Sequence, residues 1–444
     1  MRDRPGEFTS FDFLPGMPAP LGMGLAILSN NQMLTWREKV LMVPALLPML
    51  LEGQSFIDAQ DELSVLEFME KFGMPRRVND EIFIAMGKAL DFIDPDKLSM
   101  TVILTAMNRF INEADGSQTA FLDGNQPDRL CAPMRGHIEA RGGEVRTGIA
   151  VRQVETSDET GEVTGLRLSD GTQLLADYYV SSVPVDVFKR LTPPAWLDGA
   201  AAHFFAPLRA LRGIPVINLQ LWFDRKLASS LDGLAFSRSD LLSVYADMSR
   251  SCREYASDCS MLELVFAPCS PEAGSGGVDW LKKSDEEIID AAVAELAFLF
   301  PDEIAPDART ALGGDGTAQG KAALRKFSVV RVPRSVYAAL PGMGKYRPSQ
   351  ETPIRNFVLA GDWTAQKYLG SMEGAVLAGK LAAQVVVQKA AGLPTSGARE
   401  LAQHAVGGAG GEAWGSDGAV HTGILDGNSP VAFGGGQAGG MVHP

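Results

Sequence analysis

The apolar residues of the chain fall into segments with different periods, and the periods predict different elements. Between Val40 and Leu51 runs an uncharged stretch, VLMVPALLPMLL, interrupted by Pro44 and Pro48 and preceded by Arg37 and Lys39. It is shorter than the roughly 18 apolar residues that a spanning helix needs. Two readings stay open for it. One is a buried, kinked helix; the other is a patch that dips into one leaflet, with its basic residues at the headgroups. Helical periodicity returns over 61–72, 78–90 and 99–112, the last ending in Asn108-Arg109-Phe110. Residues 1–35, rich in Pro and Gly, predict loop and edge structure.

The pattern changes at 123–182. Leu130, Met134 and Ile138 recur every four residues, and Gly142-Gly143 follow where a helix ends. A strand is predicted at Glu144–Arg146. A three-stranded meander then runs from Val151–Glu155 through the Leu166 and Leu168 alternation to Ala176–Val180, with turns at Asp158–Gly161 and Asp170-Gly171. Further strands are expected at Ile214–Phe223, Leu241–Ala246 and Met261–Ala267, and an amphipathic helix at 284–300. The Gly-rich loops 270–279 and 313–320 read as surface insertions. Beyond about 390 the Gly-rich, weakly charged tail predicts disorder.

Composition narrows the class. A chain of 444 residues holds two or three domains. Its 40 Lys and Arg against 54 Asp and Glu give −14, which argues against a nucleic-acid partner. Cys131, Cys252, Cys259 and Cys269 follow no metal or CxxC spacing and predict free thiols. The histidines are scattered and no GxSxG occurs, so neither a metal cluster nor a nucleophile triad is expected. The N-terminal residues carry no signal-peptide apolar stretch and are too few for a transit peptide.

The candidate chemistry lies between Asn356 and Gln388. Phe357-Val358-Leu359-Ala360 is a short apolar run, as a strand buried on both faces requires. Gly361-Asp362 ends it, and Ser371-Met372-Glu373-Gly374 opens a long helix whose Gly374, Ala375, Ala378 and Gly379 leave one side bare. A helix N-terminus presents free N–H groups and partial positive charge, suited to the electron-rich edge of a reduced flavin. Asp362, at the strand's C-terminal end, can accept from a ribityl hydroxyl. The string AGDWT…SMEGAVLAGK therefore predicts one side of a flavin site. Such a site also needs GxGxxG near its start. Gly22-Met23-Gly24 and Gly314-Asp315-Gly316 are poor matches, so a chain truncated at its N-terminus, or an incomplete gene model, is expected.

With these strings in view the chain resembles the plant and algal type of phytoene desaturases, from about Pro5 to Gln388. The matching strings include FDFLPGMPAP, LTWREKV, SVLEFMEKFGMP, EIFIAMGKALDFIDPDKLSM, NRFINEADGSQTAFLDGNQPDRLCAPM and GIPVINLQLWFDRKL. Three departures stand out. Ala19–Gly24 replaces a more usual Asn-Gly-Ile-Trp stretch, Trp363 stands where Tyr is common, and the Gly-rich insertions and tail lie outside the pattern.

The resemblance implies an α/β fold with an α+β substrate region: an amine-oxidase-like, FAD-binding Rossmann-type fold lacking its N-terminal βαβ unit, plus a membrane-associated substrate part. Its expected division is 1–115 helical substrate and membrane region, 116–185 FAD-domain part with the meander, 186–355 substrate domain, 356–390 closing strand and helix, and 391–444 tail. It further implies FAD-dependent desaturation of 15-cis-phytoene, by way of phytofluene, to a cis-ζ-carotene. Plastoquinone would reoxidise the cofactor at a plastid membrane, with peripheral monotopic contact and possible homo-oligomers. Asp362 and Met372 would contact FAD, and Val151 its adenosine end through the backbone. Arg109, Leu369 and Gly370 would line the substrate, quinone and herbicide pocket. No catalytic side chain beyond the flavin and no metal are implied. The alternatives are a ζ-carotene desaturase or related flavin desaturase, and a non-catalytic remnant that binds lipid or a partner.

Overall fold

The computed structural model describes residues 9, 21–112, 122–227, 233–308 and 321–393. All lie in the first of two units, Met1–Val406; the second, Gly407–Pro444, falls outside the described residues, as do the 313–320 loop and the tail beyond 393.

The first part carries the helices α1 (Leu21–Ser29), α2 (Trp36–Glu52), α3 (Val65–Lys71), α4 (Ile84–Asp91) and α5 (Met100–Asn112), with shorter helical segments at Gln54–Asp58, Arg76–Val78 and Asn79–Phe83 between them. Helix α2 starts at a capping box. The Thr35 hydroxyl accepts from Glu38 N, and the Glu38 carboxylate accepts from Thr35 N at 2.8 Å. Pro44 and Pro48 stand inside the helix, which continues through both. Met42, Ala45 and Met49 are buried, whereas Val40, Leu41, Val43, Leu47, Leu50 and Leu51 face outward. The segment is thus a half-buried helix with an exposed apolar side. Leu21, Leu25 and Leu28 of α1 are exposed as well.

Two expectations change here. Leu21–Ser29 is helical, not loop: the run Leu25–Leu28 outweighs Gly22 and Gly24, which cost about 1 kcal/mol each, and buries Ala26. Lys39 does not face outward. Its ammonium is buried and donates to Leu28 O at 2.7 Å and Asn31 Oδ1 at 3.0 Å, tying α1 to α2.

Helix α6 (Ala132–Glu139) follows a wide turn at Pro127–Cys131, and its Met134 and Ile138 are exposed. No strand forms at Glu144–Arg146. There Arg146 and Glu144 pair with each other at 2.7 Å, so neighbours satisfy their side chains without a ladder. Strands β1 (Val151–Thr156), β2 (Val163–Leu168) and β3 (Gln173–Leu174) make the meander. The next strand, β4 (Tyr179–Ser181), does not complete it as expected. It pairs in parallel with the closing strand, because Tyr179 N donates to Asn356 O at 2.9 Å.

Residues 216–332 build a five-stranded antiparallel sheet of β5 (Val216–Phe223), β6 (Ala235–Phe236), β7 (Leu242–Asp247), β8 (Met261–Phe266) and β9 (Leu324–Val332), in the order β6-β7-β8-β5-β9. Alternate residues Ile217, Leu219, Leu221 and Phe223 turn inward against helix α7 (Asp285–Leu299), whose Ser284 cap forms a second capping box. The loop 270–279 is no surface insertion. Asp94 N donates to Ala273 O at 2.8 Å, Ala273 is buried, and Gly274 at φ +139° leaves room for the Asp94 side chain.

Candidate flavin and substrate site

The last strand, β10 (Phe357–Leu359), is buried throughout and lies in parallel register with β4, Phe357 opposite Tyr179 and Leu359 opposite Ser181. An aromatic group fixes it: Phe357 sits 4.8 Å from Trp196 and 6.0 Å from Phe188, ring centroid to centroid. Asn356 locks the strand to the meander, accepting from Val163 N at 3.0 Å and donating to Val163 O at 2.8 Å. Gly361 then turns at φ +108°, a conformation that favours glycine, and the Trp363 indole donates to Val183 O at 3.0 Å.

Helix α8 (Met372–Ala390) follows, capped by Ser371, whose hydroxyl accepts from Gly374 N at 3.1 Å. The segment between strand and helix is braced from inside. The Gln366 amide donates to Asp362 O at 3.1 Å and Leu369 O at 3.2 Å. Gln350 donates to Thr364 Oγ1 at 2.8 Å and Ala365 O at 2.9 Å. A Cβ at Gly374 would meet Leu369 O and would lie 2.5 Å from Gln366 Nε2, so only glycine closes this turn.

One buried carboxylate, Asp91, and one half-buried, Asp362, stand near one arginine. Burial pushes Asp362 above the usual carboxylate range and Asp91 well above it, while the charge of Arg347 acts downward on both. Asp91 accepts from Ala339 N at 2.9 Å. Arg347 lies 4.8 Å from the centroid of the Tyr337 ring, and burial likewise raises the Tyr337 phenol. A Cβ at Gly370 would stand 3.1 Å from that ring and 3.4 Å from Asp362 Oδ2.

A cavity of about 600 Å³ opens beside this segment. Its walls include Val102 and Thr105 of α5, Tyr337, Arg347, Tyr368 and Leu369. The exposed Lys345–Glu62 pair, 3.0 Å apart, stands at its edge. Arg109, at the end of α5, forms an ion pair with Glu373 in the first turn of α8, and its guanidinium lies 4.8 Å from the centroid of Tyr368.

Of the residues expected from sequence, Asp362, Leu369, Gly370, Met372 and Arg109 come together around the α8 cap. Met372 presents its backbone there, for its side chain is 72% exposed. Val151 stands apart, on β1 of the meander, paired with Leu168. Sequence reasoning did not single out Arg347, Tyr337, Asp91, Gln366 or Glu373. An acid in a helix's first turn is a readable signal for Glu373. Arg347 and Asp91 carry no local signal, since their partners are distant in the chain.

These residues fit one side of a flavin. The C-terminal end of a parallel pair, a capped helix whose first turn is bare at Gly374 and Ala375, and a carboxylate beside it supply acceptor, dipole and space. Among the described residues no group of His, Cys, Asp or Glu is arranged to hold a metal ion.

The comparisons agree with this geometry. Residues 2–387 match the family of flavin containing amine oxidoreductases. The chain is 52% identical over 389 residues to a chloroplastic/chromoplastic 15-cis-phytoene desaturase of Solanum lycopersicum, matching 87% of this chain but spanning 63% of that protein. It is 48% identical to a 15-cis-phytoene desaturase of Synechococcus elongatus, over 87% of this chain and 77% of that protein. A zeta-carotene desaturase of Synechocystis is more distant, at 31% over 76% of this chain and 68% of that one. Among solved structures a putrescine oxidase variant shares the fold, with a TM-score of 0.56 at 13% identity, covering 86% of this chain and 78% of its own. The chain therefore belongs to the flavin containing amine oxidoreductase family and, within it, to the group formed by the 15-cis-phytoene desaturases.

Proposed function

We propose that the protein takes part in FAD-dependent desaturation of 15-cis-phytoene, by way of phytofluene, to a cis-ζ-carotene, with a plastoquinone-type acceptor, at a plastid membrane. The observation that carries this reading is the cavity between α5 and the 365–369 segment, whose last wall residue, Leu369, stands two positions before the Ser371 cap of α8. A flavin bound there supplies the hydride acceptor for an allylic C–H, with proton loss from the neighbouring carbon. The chain's own residues do the rest. Leu369, Val102 and Tyr337 offer apolar surface to a hydrocarbon, and Asp362 and the α8 N-terminus hold the cofactor's polar edge. Arg109, Leu369 and Gly370 form the substrate and quinone side, Arg109 orienting a quinone carbonyl.

A C40 hydrocarbon has to arrive from lipid. No helix among the described residues is long and apolar enough to cross a membrane. Helices α1 and α2 nevertheless carry an exposed apolar face, and both pack on α5, whose inner residues wall the cavity. That arrangement supports one-leaflet contact with a short path from lipid to cavity. The names of the plant relatives support a plastid location.

The test is product analysis with 15-cis-phytoene in liposomes and a plastoquinone analogue. Appearance of phytofluene and then ζ-carotene is expected. Turnover of ζ-carotene but not phytoene would assign the rival desaturase, and chromatography of heat-released flavin distinguishes FAD from FMN.

A further inference from the structure

Arg347 follows the short helical turn Gly344–Tyr346 and belongs to no strand. Its head addresses three successive carbonyls. Nη2 donates to Asp362 O at 2.9 Å and to Thr364 O at 2.7 Å, and Nε to Trp363 O at 3.4 Å. One planar fork therefore reads the backbone of 362–364, a task that a point-like ammonium cannot reproduce. The Tyr337 ring, 4.8 Å away, backs the guanidinium on a further side. The same charge acts on both Asp91 and Asp362, opposing the upward push of burial on each. No sequence motif links Arg347 to this segment; Gln350 holds Thr364 Oγ1 and Ala365 O, which Arg347 does not bond, while Gln366 shares Asp362 O with it.

We propose that Arg347 is a positioning residue that fixes the Asp362–Thr364 turn, and with it the Asp362 carboxylate and the approach to the α8 cap, in the geometry a flavin requires. The inference rests on the flavin reading of the site, and the two can fail separately. Without the fork, Trp363 O and Thr364 O lose the arginine's donors and Asp362 O keeps the bond from Gln366, so the middle of the turn is released. A lysine keeps the charge opposite Asp91 and Asp362 but reaches fewer of the carbonyls; a methionine keeps the stem and loses both.

The experiment compares wild type, Arg347→Lys and Arg347→Met by amide hydrogen exchange and by FAD titration followed through flavin fluorescence. The readout is the peptide covering 361–371, whose Thr364 and Ala365 amides are bonded to Gly361 O at 3.1 Å and Pro348 O at 2.7 Å. In Arg347→Met that peptide exchanges about tenfold faster or more, as loss of two or three charge-assisted bonds implies, while peptides across β5 and β8 are unchanged. Arg347→Lys is intermediate, and FAD binding weakens in the same order. Unchanged exchange in 361–371, or equal acceleration across the whole chain, overturns the proposal. Should Arg347→Met not fold, Arg347→Lys reads the same peptide against the same criterion. Absence of FAD binding by wild type counts against the flavin reading, and the exchange data still decide what Arg347 holds.

Discussion

Arg109 on α5 and Glu373 on α8 form an ion pair that joins the helical region to the first turn of the flavin-side helix. Both side chains are partly exposed, 30% and 40%, so their direct contribution to stability is small, about 0.5 kcal/mol. The larger effect is on placement. Arg109→Met is expected to lower turnover with the quinone acceptor and to reduce sensitivity to bleaching-type inhibitors. Glu373→Gln, which removes the carboxylate charge from the guanidinium, reproduces part of that loss, and the double variant is no worse than Arg109→Met. Steady-state kinetics on the four proteins form the cycle. Unchanged turnover and inhibition in Arg109→Met would remove the residue from the site.

Gly374 tests how tightly the α8 cap is built. A methyl group there meets the Leu369 carbonyl and the Gln366 amide, both already engaged in bracing the turn. Gly374→Ala is expected to destabilise by about 2 kcal/mol through backbone displacement, seen as a lower urea midpoint at constant slope. Gly379→Ala, where a Cβ has open space, serves as the control and leaves the midpoint unchanged or slightly higher.

Asp91 predicts a pH dependence. Its folded pKa is raised, so the folded state binds the proton more tightly than the unfolded chain, whose carboxylate titrates near about 3.9. That linkage stabilises the fold fully below the unfolded value and is lost as pH rises through the folded one. Asp91→Asn retains an acceptor for Ala339 N and cannot ionise. Thermal melts from pH 4 to pH 9 should therefore show the variant gaining on wild type as pH rises. Parallel curves would show that Asp91 does not titrate in this window.

The outward face of α1 and α2 predicts lipid binding. Val40 and Leu51 are 63% and 75% exposed, so Val40→Glu and Leu51→Glu leave the core untouched. Cosedimentation with plastid-lipid vesicles is expected to fall by about tenfold or more in the double variant, from the lost apolar area alone. Circular dichroism should stay unchanged. Equal binding by both proteins would place the membrane contact elsewhere.

Much of the fold was legible because its signals are local. Ser284 with Glu287 marks the start of α7, the alternation in 214–223 gives β5, and the Phe357–Ala360 run with Ser371 and Gly374 gives the closing strand and helix. The proximity of Asp362, Gly370 and Met372 was legible too, because they share one short segment. What escaped depends on distant partners. Tyr179–Ser181 reads equally well as a last meander strand until the ladder of Phe357–Leu359, far along the chain, claims it. The 270–279 glycines resemble a surface loop unless Asp94 is known to occupy the space beside Gly274. Arg347, Asp91 and Tyr337 meet only in three dimensions.

The pairing of β4 with β10 has a consequence for how the protein is assembled. The Trp363 bond to Val183 bridges 180 residues and the Asn356–Val163 pair bridges 193, whereas the Asn218–Glu263 contact across β5 and β8 bridges 45. Closing a longer loop costs more chain entropy and slows contact formation. The five-stranded sheet with α7 lies wholly inside that long interval and can form while the seam is still open. Pulse-labelling exchange during refolding should protect β5 and β8 before Phe357–Leu359. On a ribosome the order is stricter still. Strands β5 to β9 and helix α7 are complete before Phe357–Leu359 has been synthesised, so the seam with β4, and the capped turn of α8 beyond it, close among the last events in the protein's maturation.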